Sequence, residues 1–355
     1  MLVPMANETN NTLISHLSSG QTSQCKVDEI DTIIIIGYAL VFIIGVSGNA
    51  IVLLVFGCGR LRSRVLYILI SYLAFFDGLS SFINPLLFIY WMVTCNKSWH
   101  FGELGCKLLP ALGRIFTDVS IGIILIMAID RCVAIVFPMK ARLKTRSVHF
   151  LLLCLFTLSI TFESYYIVTL HVDANGACAV ADIRDLWYSY PLVITISIRD
   201  VVFISVFITT TVLVYRRLQK SERKQLLSND KNMQRKNNKV MKMLIVMAIV
   251  SAVAVIPRDI LHLSYVLSHM VTGFVNKGIQ FSHSLLVTNK VLKLLQISNG
   301  IYNVFIYGKM YGTFRKKIKM FFCRNLYRNE QNSEKNHSQT YQPDTIRLRE
   351  SLSRV

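Results

Sequence analysis

The sequence predicts an all-α membrane protein, a bundle of seven transmembrane helices followed by a short amphipathic eighth helix. Three observations predict it. Of 355 residues, 53% are hydrophobic and only 17% charged, more apolar surface than one soluble core of this length needs. Seven stretches are each long enough to cross a hydrocarbon layer of about 30 Å, and they lack the period-two alternation of membrane strands. The connecting segments alternate in charge. Segments 58–64, 137–148, 216–242 and 308–328 hold 24 Lys/Arg against Glu222 and Asp230 alone, whereas 1–31, 94–105, 171–186 and 269–281 hold four Lys/Arg against eight acids. Basic loops stay in the cytoplasm, so this pattern puts the N-terminus outside, the C-terminus inside, and predicts a multi-pass plasma-membrane protein. The formal charge of +19 is thereby read as topology and attraction to anionic lipid, and not as nucleic-acid binding.

Four regions follow: an extracellular glycosylated tail over 1–31, the seven-span domain over 32–307, amphipathic helix 8 over 308–323 and a disordered cytoplasmic tail over 324–355. The tail 1–31 is polar, with sequons at Asn7 and Asn10; Asn96 carries a third in the first outer loop. No basic-then-apolar leader is visible, so the first span, about Thr32–Gly57, would serve as the insertion signal. The second span, Val65–Val93, carries Asp77 and an Asn84-Pro85 step where the proline predicts a kink. The third, Glu103–Val136, holds Arg114, Asp118 and Ser120 and ends at Asp130-Arg131. From Cys106 to Arg131 it covers roughly 38 Å, and its polar groups are costly in lipid, so each is a functional candidate. The fourth, Val148–Leu170, carries Glu163; the fifth, Trp187–Arg216, carries Arg199-Asp200 and ends at Tyr215. The sixth, Lys239–Ser268, carries Arg258, Asp259 and His262 just after Pro257; the seventh, Ser282–Tyr307, carries Lys290, Lys293, Asn299 and Asn303. A basic amphipathic run, Phe314 to Phe322, reads as a helix on the inner membrane surface, with Cys323 at its end a palmitoylation candidate.

These motifs resemble the rhodopsin-like (class A) G-protein-coupled receptors. The likeness is carried by Gly48-Asn49, Leu73 to Asp77, Trp99-His100-Phe101-Gly102 before Cys106, Asp130-Arg131-Cys132 in place of Asp-Arg-Tyr, and Asn299 to Tyr307 with Val304 in place of the proline. The resemblance implies a receptor without enzymatic chemistry or cofactor, partnered by an extracellular ligand, a heterotrimeric G protein, arrestin and receptor kinases. Of the three pairings open to Cys25, Cys95, Cys106 and Cys178, it selects Cys106–Cys178 and leaves Cys25–Cys95. It maps Asp77, Ser120, Asn299 and Asn303 onto the family's sodium-and-water pocket, a donor set suited to a hard cation. It assigns Asp130, Arg131, Tyr215 and Tyr307 to the switch that meets the G protein. Asn237, Val255 and Val304 depart from the family's pattern, which implies appreciable ligand-free signalling.

The ligand-binding set is read as Arg114, Asp118, Arg199, Arg258, Asp259, His262 and Lys293. With Glu163, Asp200 and Lys290 the cluster holds five bases and four acids, so many must pair with one another. A near-even balance suits a ligand with both charges and hydrogen-bonding groups. The charged cavity and the helix-seven ending look more like peptide receptors, so a neuropeptide or peptide hormone is expected. Gly113, where amine receptors have Asp, and Ile297, where opsins have Lys, weigh against those two classes. A small-molecule chemosensory receptor of the same fold is the alternative; a transporter would need internal repeats, and none is visible.

Overall fold

The structure is a computed structural model, which describes residues 27–57, 65–95, 97–136, 143–180, 185–224, 231–272, 283–310, 312, 314–316 and 318–319. Asn7, Asn10, Cys25, Asn96, Cys323 and the tail 324–355 lie outside the described residues. Among the described residues the elements follow in order: α1 (Glu29–Gly57), α2 (Val65–Val93), α3 (Gly102–Val136), α4 (Thr145–Thr169), β1 (His171–Val172), β2 (Cys178–Ala179), α5 (Leu186–Lys224), α6 (Lys231–Thr272), α7 (His283–Ile297) and α8 (Asn299–Met310).

Where lipid surrounds a helix on one side only, side-chain exposure follows the helical repeat. On α1, Ile33, Ile36, Leu40 and Ile43 face outward, while Ile34, Tyr38, Val41 and Gly45 are buried. α3 is the central rod. Val119, Ile123 and Met127 are fully buried along it, packed in one core with Leu69 and Leu73 of α2, Met243 and Met247 of α6, and Tyr307 of α8. α3 is described as far as Val136.

Six helices are individually long and apolar enough to cross a membrane among the described residues. The seventh crossing is assembled from α7 and α8, which corrects the single helix expected over Ser282–Tyr307. The break falls at Ser298, whose Oγ donates to the Leu295 carbonyl at 2.8 Å and is joined by Tyr302. Asn299 and Gly300 follow, both poor helix formers. Gly300 lies so close to α2 that a Cβ there would meet Asp77 Cβ at 3.0 Å and Ser81 Oγ at 3.3 Å. α5 and α6 run farther than expected, to Lys224 and from Lys231, through extensions whose Arg217, Gln219, Lys220, Arg223, Lys231, Gln234, Arg235 and Lys236 are good helix formers. Beyond α8 the described residues Phe314–Lys316 are helical, with Phe314 buried between Phe56 and Tyr307.

The hairpin was not expected from sequence. β1 and β2 pair antiparallel, His171 with Ala179 and Val172 with Cys178. Asp173 closes the turn by accepting from the backbone N–H of Asn175 at 2.9 Å and of Ala177 at 2.8 Å, and Gly176 takes the left-handed backbone with φ 79°. The Asn175-Gly176 step is the signal that was present to be read. Cys106 and Cys178 form a disulfide with Cα atoms 5.6 Å apart, fixing the hairpin to α3. Trp99 bonds to the Gly176 carbonyl through its backbone N–H at 2.8 Å and to the Gly102 carbonyl through Nε1 at 2.8 Å. Cys95 is disulfide-bonded as well; its expected partner, Cys25, is not among the described residues.

Candidate functional site

All seven residues of the expected ligand set line one cavity at the disulfide end of the bundle. α3, α4, α5, α6 and α7 each contribute a charge at the level where the apolar run is interrupted, and α4, α5 and α6 bring theirs together by packing on α3. The bases differ sharply in how they are neutralised.

Arg114 on α3 reaches Glu163 on α4 as a fork, Nε to Oε2 at 2.6 Å and Nη2 to Oε1 at 3.1 Å. It also donates to the Tyr165 hydroxyl at 3.0 Å and stands 4.6 Å from the Tyr166 ring centroid, a cation–π contact. Arg199 on α5 binds three carboxylates: Asp118 at 3.2 Å, its neighbour Asp200 at 3.1 Å, and Asp259 of α6. These two arginines are structural clasps joining α3, α4, α5 and α6. Lys290 is a third, bonded to Asp31 across α1 and α7, so it leaves the cluster in which the sequence placed it.

Arg258 and Lys293 differ. Arg258 is 5% exposed and donates through Nη1 to His262 Nδ1 at 3.0 Å, a neutral partner. Its Nε finds no acceptor among the described residues, nor does Trp91 Nε1 on the same cavity wall. Lys293 donates to Gln296 Oε1 at 3.0 Å and stands 5.1 Å from the Phe88 ring. Gln296 in turn donates to Asp259 Oδ1 at 3.1 Å. The cup therefore carries its negative excess around Arg199 and its positive excess at Arg258 and Lys293. Buried donors left without acceptors are costly, so an oxygen-rich, anionic group is what this wall can bind.

The sequence reading missed Gln296, the bridge between Lys293 and Asp259, although its spacing of three from Lys293 puts both on one helix face. It also missed Tyr165, Tyr166 and Trp91, whose roles depend on which helix faces which.

A second polar site lies deeper. Asp77 is 2% exposed; Ser120 Oγ donates to its Oδ1 and Asn303 Nδ2 to its Oδ2 at 2.8 Å. Asn299 is buried one helical turn before Asn303, and its Oδ1, like the nearby Ser81 Oγ, is unsatisfied among the described residues. One carboxylate with orphaned neutral oxygens around it is a donor set that fits a small hard cation. At the opposite end, Arg131 donates to Asp130 through Nε at 2.9 Å and also through Nη2. The structure does not gather the four expected switch residues. Tyr215 is 62% exposed on α5, its hydroxyl accepting from Gln219 at 2.8 Å, and Tyr307 is fully buried against Phe314. Cys132, in place of the tyrosine of the resembled motif, is a buried thiol packed with Val214 and Met241.

Seven apolar crossings, a disulfide-tethered hairpin over a charged cup, and a carboxylate-held arginine at the far end together define a multi-pass membrane receptor. Residues 48–307 match the 7 transmembrane receptor (rhodopsin family), and the chain belongs to that family. It is a family of receptors and not of enzymes. The chain is 25% identical over 315 residues to lysophosphatidic acid receptor 6 of Mus musculus, covering 85% of this chain and 88% of that receptor. Shorter matches are to the tachykinin-like peptides receptor 86C of Drosophila melanogaster, 30% over 129 residues, and the type-1 angiotensin II receptor of Gallus gallus, 33% over 107 residues. Those two cover 36% and 30% of this chain, and 25% and 29% of the respective receptors.

Proposed function

We propose that this receptor sits in the plasma membrane with the cup outside, binds a peptide ligand there through an anionic group, and activates a heterotrimeric G protein at the Asp130-Arg131 end. The observation that carries the reading is the accounting of charge in the cup. Arg114 and Arg199 are matched by carboxylates, whereas among the described residues Arg258 and Lys293 hydrogen-bond to neutral groups, and Arg258 Nε finds no acceptor. A free C-terminal carboxylate or an acidic side chain meets that need, and peptide carbonyls meet Trp91. One relative is named as a receptor for tachykinin-like peptides and another as a receptor for angiotensin II.

The Asp130–Arg131 pair is the arrangement the family holds at rest. Ligand and G protein need only each favour the alternative arrangement, and their coupling is then reciprocal. Arrestin and receptor kinases would act at the same face. Asp77, Ser120, Asn299 and Asn303 would hold a sodium ion through their oxygens, favouring rest. Equal sodium effects on signalling in wild type and Asp77→Asn, each compared between sodium and choline buffers, would remove that part of the reading.

The test of the whole is nucleotide exchange on purified G protein, driven by a library of peptides in matched free-acid and amide forms. Free acids are expected to dominate the hits, and Arg258→Ala with Lys293→Ala to lower their potency at least tenfold at unchanged surface expression. Hits confined to amides would refute the anionic-group assignment. A lysophospholipid reading is favoured by the one relative that matches over most of both chains; it also supplies an anion, and a lysophosphatidic acid arm in the screen separates the two.

A further inference from the structure

A second cavity, roomier than the cup, opens on the lipid-facing side of the bundle between α3, α4 and α5. Its volume is ≈ 220 Å³ against ≈ 60 Å³ for the cup. We infer that this crevice is a binding site for one acyl chain of a bilayer phospholipid, which inserts between α4 and α5 and ends against the ion pairs that wall the cup.

The lining selects hydrocarbon. Leu125 of α3, Leu155, Leu158 and Phe162 of α4, and Ile198 and Val202 of α5 supply the surface. Two hydroxyls also line it, but both already have partners: Ser159 Oγ donates to the Leu155 carbonyl at 3.0 Å, and Thr195 Oγ1 donates to the Leu192 carbonyl at 3.1 Å and meets Tyr165. Water would find few partners there, and dry apolar cavities of roughly 150 Å³ already take up small hydrocarbons. Leaving such a volume empty is unfavourable, because the lining atoms lose contacts on one side.

The rim says where the occupant comes from. Leu158, Ile198 and Val202 are 48%, 46% and 46% exposed and continue the lipid-facing surface, so the crevice is reached from the bilayer. Its α4 wall, from Leu155 to Glu163, runs about 12 Å, a slot suited to part of one chain. The inner end is shared with the cup: Asp118, Glu163, Ile196 and Arg199 line both cavities. A chain in the crevice and a ligand in the cup therefore press on the same Arg114–Glu163 and Arg199–Asp118 pairs from opposite sides.

The experiment uses the full receptor in nanodiscs of phosphatidylcholine doped with a phosphatidylcholine carrying a diazirine midway along one acyl chain. After illumination, adducts are mapped by mass spectrometry. A lipid acting only as solvent labels in proportion to exposure, which favours Ile33, Ile36, Leu40 and Ile43 of α1, at 68%, 55%, 52% and 60% exposed. A bound chain labels the half-buried Leu125, Leu155 and Phe162 at least fivefold more than those α1 positions. Leu158→Trp with Val202→Trp, which fills the slot from its rim, is expected to lower crevice adducts about fivefold and leave α1 adducts unchanged. If that variant fails to fold, the wild-type ratio alone decides. Labelling that follows exposure, crevice labelling unaffected by filling in a folded variant, or receptor-to-receptor contacts occupying the slot would each overturn the inference.

Discussion

Removing Arg114 from its pair with Glu163 should destabilise the receptor more than removing both residues together. The pair joins α3 to α4 through contacts of 2.6 and 3.1 Å, and the Glu163 side chain is 4% exposed against 22% for Arg114. Arg114→Met leaves a desolvated carboxylate without its cation, and breaking such a pair from one side costs about 3–5 kcal/mol. Loss of the Tyr165 bond adds about 1 kcal/mol. At about 1.4 kcal/mol per factor of ten, the folded population falls by roughly a thousandfold or more relative to unfolded. Arg114→Met with Glu163→Leu deletes both charges and leaves an apolar contact of similar size, which should lie within about 1–2 kcal/mol of wild type. The assay is thermal unfolding of wild type, both single variants and the double variant in nanodiscs, read as a double-mutant cycle. A coupling of at least about 2 kcal/mol is expected, with the double variant nearer wild type than either single. Additive losses, with a coupling under about 0.5 kcal/mol, would refute the claim that the fork binds these helices as a unit.

Three further outcomes follow from the geometry. Cys106→Ser with Cys178→Ser opens a cross-link spanning 72 residues and should cost about 2–5 kcal/mol, seen as a lowered melting temperature and less receptor at the surface. Gly113→Ala puts a Cβ into the Asn84 side chain and displaces its 3.1 Å bond to the Gly113 carbonyl, so a loss of about 1–3 kcal/mol is expected in the same melt. Gly78→Ala, whose Cβ would first meet a neighbour at 3.5 Å, is the near-neutral control. Asp130→Asn weakens a charge-assisted bond worth about 1.5 kcal/mol and should raise ligand-free nucleotide exchange by roughly tenfold; unchanged exchange would mean the pair does not restrain the resting state.

Much of the fold was legible because the bilayer imposes a length and a composition on each crossing. The apolar runs gave six of the helices to within a few residues at the ends set by lipid. They failed where polarity does not mark the boundary, in the extensions of α5 and α6 made of charged helix formers, and at Ser298, where a local hydroxyl-to-backbone bond divides the seventh crossing. The hairpin escaped notice because two-residue strands have no periodicity to detect; only the turn at Asn175-Gly176 announced it. For the cup, the residue types and their level along the helices were readable, and all seven expected residues do line one cavity. Tyr215 illustrates the limit: its place at the end of α5 was evident, its outward direction was not.

The chain's composition and loop charges determined a seven-span bundle with its basic ends on one side, since burying a backbone in lipid admits few solutions. They determined too that ionisable groups sit within the spans. Which of those groups neutralise one another was decided only by the tertiary structure. Arg114, Arg199, Arg258 and Lys293 are alike in sequence as cations within apolar helices, but an ion pair forms over a few ångströms, and for helices far apart in the chain that distance is set by their approach and rotation. Packing gave Arg114 and Arg199 their carboxylates and, among the described residues, left Arg258 and Lys293 with neutral hydrogen-bond partners, and the proposed anionic-group recognition rests on that difference.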